Sequence, residues 1–113
     1  MATVYKNVSG VSASAGVTNY NTLYSTTAST SAVISTVAVC NQGDATATFR
    51  IAISATGGTT APLAAEFLVY DASVAPNDTI FITVGATLAN SRNLKFSCST
   101  TTVSVTSFVS EIS

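Results

Sequence analysis

The amino-acid sequence predicts an all-β fold: a single antiparallel β-sandwich, jelly-roll or immunoglobulin-like, of about seven or eight strands with an extended N-terminal arm. Three observations carry this. Apolar and β-branched residues alternate with period two, turn-forming residues recur at short intervals, and no segment keeps the 3.6-residue period of an amphipathic helix. A chain of 113 residues is enough for one core. The division expected is residues 1–20 as arm and residues 21–113 as sandwich.

The arm starts with a short β-like run, Thr3 to Lys6, and continues through Ser9, Gly10, Ser12, Ala13, Ser14, Ala15 and Gly16, which offer little bulk to bury. Thr22 to Thr26 reads as the first strand of the sandwich, and the polar stretch Thr27 to Thr30 links it to the next. Ala32 to Cys40 sets Val33, Val37 and Val39 on one face and Ile34, Ala38 and Cys40 on the other, the pattern of a central strand covered on both sides. Asn41-Gln42-Gly43-Asp44 carries turn chemistry, because Gly and Asn tolerate positive φ and Asp bonds its own backbone. A hairpin is expected there. Its return strand, Ala45 to Ser54, points Ala47, Phe49, Ile51 and Ile53 inward.

Thr56 to Pro62, with Gly57 and Gly58 paired, reads as a flexible loop. Ala65 to Tyr70 is a strand with Phe67 and Val69 opposed to Glu66, Leu68 and Tyr70. Ala75-Pro76-Asn77-Asp78 is a turn in which Pro presets φ. Thr79 to Val84 follows with Ile80, Ile82 and Val84 inward. Asn93 to Cys98 and Thr102 to Val109 complete the set.

Charge is the unusual feature of the composition. Only Lys6, Arg50, Arg92, Lys95, Asp44, Glu66, Asp71, Asp78 and Glu111 ionise, which is 8% of residues against about 25% in ordinary domains. Ser and Thr take their place. With a net charge of -1, little repulsion keeps molecules apart, so a homo-oligomer is expected. Four dispersed basic residues make no patch for phosphates, and nucleic acid is not an expected partner. No stretch reaches the ~20 apolar residues of a membrane span. The first residues lack the basic start and apolar run of a secretory signal, so Cys40 and Cys98 are expected as free, buried thiols.

The residue inventory argues against catalysis, and no enzyme activity and no cofactor are expected. There is no histidine, so the commonest general base and metal ligand is missing. A serine nucleophile would have to use Lys6 or Lys95 as its base, and neither lies in a recognisable motif. The carboxylates stand singly, without the pairing that glycoside hydrolysis requires. Asp44 and Asp78 are better placed to cap their own turns than to share a calcium ion. Two thiols fall short of a zinc site, and Gly57-Gly58 lacks the Lys and helix of a phosphate loop. Tyr5 and Tyr20, near the ends of the arm, suit subunit contact, since Tyr is enriched at protein interfaces. The interface residues expected are Val4, Tyr5, Val8, Val11, Val17 and Tyr20.

Several segments carry a likeness to a known group: Val4-Tyr5-Lys6-Asn7-Val8, Thr22-Leu23-Tyr24-Ser25-Thr26, the run from Val37 to Ala52, Tyr70-Asp71, Asn77-Asp78-Thr79-Ile80, Val84 to Ala89, and Phe108-Val109-Ser110-Glu111-Ile112. In these the chain resembles small virion structural proteins of tailed phages, some of them aquatic or cyanobacterial. The likeness lapses at Ala55 to Pro62. It implies a β-sandwich located in the virion and assembled in the host cytoplasm. The role it implies is capsid decoration by a small homo-oligomer, a trimer favoured, cementing the shell through contacts with itself and with the major capsid protein or another virion protein. A tail, neck or fibre component for receptor or carbohydrate recognition is the alternative.

Overall fold

A computed structural model of the chain, describing residues 2–113, contains eight β-strands and one short 3₁₀ turn. The strands are β1 (Thr3–Val11), β2 (Asn21–Ser25), β3 (Ser31–Asn41), β4 (Ala47–Ser54), β5 (Phe67–Val74), β6 (Asp78–Leu88), β7 (Asn93–Cys98) and β8 (Val103–Ile112). They form two four-stranded antiparallel sheets, in the orders β1-β8-β3-β6 and β2-β7-β4-β5. Each early strand therefore pairs with its mirror in the chain: β1 with β8, β2 with β7, β3 with β6 and β4 with β5. That is the jelly roll, one of the two sandwich types the strand pattern allowed.

Alternation accounts for the core. Ile34, Val37 and Val39 from β3 and Val103, Val105 and Val109 from β8 face Phe49 and Ile51 from β4 and Leu94, Phe96 and Cys98 from β7, all of them buried. Ile80, Ile82 and Val84 close one side from β6. Gly10 lets β1 pack against the second sheet: a Cβ there would stand 3.4 Å from Leu23 and 3.6 Å from Phe96.

Three expectations change. First, residues 3–11 are not a free arm but a nine-residue strand in unbroken register with β8. Residues 12–20 then lie over the second sheet, where the Gly16 amide donates to the Cys98 carbonyl at 2.9 Å and Ser97 Oγ donates to the Val17 carbonyl at 2.7 Å. Small residues had suggested that nothing here could be buried, yet an edge strand is held by backbone pairing that side chains do not reveal. Second, β3 and β4 are not a hairpin, because the turn after β3 carries the chain from one sheet to the other. Buried Asn41 shapes that corner: its Nδ2 donates to the Ala45 and Val74 carbonyls (2.8 and 3.2 Å), and its Oδ1 accepts the Gly43 amide (2.9 Å). Third, β3 bulges at Ser35, which lies between the partners Ile34↔Val109 and Thr36↔Phe108. The extra residue switches faces, so Ile34 joins Val37 and Val39 inside while Val33 turns outward.

Candidate interaction surfaces

The two sheets differ in what lies on their outer faces. The second sheet is covered over β7 by its own chain: residues 12–20 cross it, and Lys95, buried on β7, donates to the carbonyls of Gly57 (3.1 Å) and Thr60 (2.6 Å). Thr22 Oγ1 adds a bond to the Gly58 carbonyl at 2.8 Å. Glu66 accepts the amides of Leu63 (2.8 Å) and Ala55 (3.2 Å), which hold its pKa below the usual carboxylate range. The glycine-rich loop read as flexible is thus tied down at both ends.

The first sheet is bare. The pairing registers align Tyr5, Ser110, Val33 and Thr87 in one row across its outer face, then Asn7, Phe108, Thr36 and Thr83, then Ser9, Thr106, Ala38 and Phe81. None of the nine ionisable side chains of charge lies on this face. Lys6 and Glu111 project to the opposite side, Asp78 alternates with Thr79 onto the inner side, and the others belong to the second sheet or to loops. Large apolar groups stand among the hydroxyls: Tyr5 is 82% exposed, Phe81 68% and Val11 56%, with Val33 and Phe108 also exposed.

A second feature lies on β4 and β5. Between the pairs Phe49↔Ala72 and Ile51↔Val69, β4 has one residue, Arg50, where β5 has two, Tyr70 and Asp71. Asp71 absorbs this bulge at φ 54°, a conformation Asp tolerates better than most residues. Arg50 then meets both of them. Its Nε and Nη2 bond the two Asp71 oxygens at 2.7 and 3.1 Å, Nη1 donates to the Tyr20 hydroxyl at 2.9 Å, and the guanidinium lies 4.0 Å from the Tyr70 ring centroid. The pair with Asp71 holds Arg50 charged and lowers the Asp71 pKa.

The six expected interface residues do not form one patch. Tyr5 and Val11 lie on the bare face, and Val4 is exposed on the other side of β1. Val8 packs against the core, Val17 is half-buried over the second sheet, and Tyr20 is buried beneath Arg50. The face residues on β3, β6 and β8 were not among those expected. The signal for them was the alternation of Thr and Ser with single aromatics in residues 79–83 and 104–110.

No family model matches the chain, and neither a curated protein nor a solved structure matches it.

The remaining candidates for chemistry are placed as follows. Lys6 Nζ is 3.1 Å from Glu111, and Lys95 donates to carbonyls rather than to a serine hydroxyl. Asp78 accepts the Thr79 amide at 2.9 Å, so it caps its own strand start. The described residues include no cluster of three or more metal-binding side chains, and no helix long and apolar enough to cross a membrane. Both cysteines are free: Cys98 lies in the core, where burial pushes its pKa up to about 11, while Cys40 is only half-buried on the outer side of β3. Tyr24 is buried with its hydroxyl on Glu111. Tyr70 stays 61% exposed, with one ring face taken by Arg50.

Proposed function

We propose that this chain is a structural component of a phage virion, most specifically a capsid decoration protein that stabilises the shell by protein contact. The observation that carries the reading is the bare, uncharged outer face of the β1-β8-β3-β6 sheet. A face of hydroxyls and small apolar groups studded with Tyr5, Phe81 and Phe108 loses no ionic hydration when covered, and its aromatics gain from burial. A standard specific interface buries ~1,600 Å² in total, an area suited to one sheet face and its rim. The jelly roll recurs in viral capsid proteins, which is support by analogy of fold. The resemblance in sequence to tailed-phage virion proteins points the same way.

Binding to particles tests the reading. Purified protein added to shells that lack it should bind, and the double variant Phe81→Lys with Phe108→Lys should stay folded and fail to bind. Equal binding by the variant would remove this face from the account. Stoichiometry separates shell from tail: on the order of hundreds of copies per particle follow from a symmetric shell, and a few dozen at most from a tail or fibre.

The Arg50, Tyr70 and Asp71 cluster favours a second reading, a tail or fibre module that binds a glycan, because an exposed aromatic beside fixed polar groups is a sugar-binding arrangement. A glycan array would support it if selective binding were lost in Tyr70→Ala.

A further inference from the structure

Edge strands expose unpaired backbone groups, and proteins blunt them by shortness, bulges, proline or charge. Three of the four edges here are blunted. β2 is five residues long with a register shift, β5 bulges at Asp71, and β6 carries an extra residue beside Gly85, at φ 58°. β1 is different: nine residues in continuous register, without proline and with Lys6 as its single charge.

The phase of its hydrogen bonding is settled by one pair. Ala2 and Ser113 exchange both backbone bonds, at 3.1 and 3.0 Å. Alternation along the ladder then directs Val4, Lys6, Val8 and Gly10 toward β8. Thr3, Tyr5, Asn7, Ser9 and Val11 turn both N–H and C=O to the free edge, while their side chains lie on the bare outer face.

The geometry points to antiparallel addition of the same strand from a second copy of this chain, about a two-fold axis that sets Asn7 opposite Asn7 of the second copy. In that register Tyr5 faces Ser9, Thr3 faces Val11, Val4 faces Gly10 and Lys6 faces Val8, so every outward group on β1 finds a partner and no like charges meet. Sliding the strands two residues one way opposes Lys6 to Lys6, which is repulsive. Sliding two the other way leaves Thr3 and Val4 unpaired. A one-residue slip sets outward groups against residues that face away. The register is therefore self-complementary, as a two-fold interface requires. It joins two sheets into one of eight strands, with both uncharged faces on the same side, and it replaces the trimer expected of a decoration protein. The pairing stands apart from the virion reading: loss of the dimer leaves particle binding through Phe81 and Phe108 intact, and the reverse also holds.

Sedimentation combined with amide hydrogen exchange on the purified chain tests it. A dimer is expected, in which the amides of Thr3, Tyr5, Asn7, Ser9 and Val11 are protected at high concentration and lose protection on dilution. The amides of Val4, Lys6, Val8 and Gly10 should stay protected throughout. Asn7→Pro deletes an outward N–H but no bond to β8 and should give a folded monomer. Asn7→Lys leaves the backbone whole but opposes like charges, and should weaken the dimer several-fold at low salt with recovery at high salt. A monomer at every concentration, a trimer, a dimer with the five amides unprotected, or a dimer that both variants leave unchanged would overturn the proposal.

Discussion

Phe49 is fully buried at the centre of the core, and its truncation shows how much one side chain supports. Phe49→Ala should cost about 3–5 kcal/mol, a large part of the ~5–15 kcal/mol typical of a domain, and denaturant titration would measure it. Ser107 gives the opposite sign. It points into the core from β8, and its Oγ is buried with no hydrogen-bond partner, so Ser107→Ala removes an unsatisfied group and should raise the denaturation midpoint. Glu111 supplies the pH dependence. It accepts from the Tyr24 hydroxyl and from Lys6, and these bonds, the tyrosine's first, hold its pKa below the ordinary value. A carboxyl lowered in the folded state contributes stability that is complete above the unfolded pKa of ~4.3 and disappears as pH falls through the folded value. Glu111→Gln should therefore flatten the acid side of the stability profile, measured by thermal unfolding across that range.

Among the elements, β1 carries the heaviest consequence. Because it pairs with β8 from Ser104 to Ile112, and residues 12–20 cover β7, deleting residues 1–20 should leave a chain that no longer folds cooperatively, which circular dichroism during heating would reveal. A detached arm would have been dispensable. β6 depends on its bulge: Gly85 sits at φ 58° with open space around the position of a Cβ, so Gly85→Ala should cost about 1–2 kcal/mol through backbone strain alone. Strands with clean alternation were legible in the sequence, β4 and β7 above all, because the apolar residues that face the core alternate with polar or small ones that do not. Bulges and crossings were not. The extra residue at Ser35 breaks the period inside one strand, and the turn chemistry of Asn41 to Asp44 serves a hairpin and a sheet crossing equally well. The buried Lys95 was hidden for a similar reason: what covers it is a loop distant in sequence.

In the whole molecule, the jelly-roll pairing of strand with mirror strand leaves two faces with different fates. Chain segments cover much of one of them, over a buried lysine, and the other stays open without a charge. Composition foretold the low charge but not its placement, since the nine ionisable side chains are dispersed along the sequence and only the fold withdraws all of them from one surface. Tyr5, Phe81 and Phe108 come from three strands far apart in the chain, so their shared face could not be read from spacing. The account rests on that face being covered in use. Cryo-electron microscopy of the phage particle proposed to carry this protein is the direct measurement: neighbouring protein density should lie against the outer side of β1-β8-β3-β6, touching Phe81 and Phe108, and a reconstruction in which that side opens to solvent would contradict it.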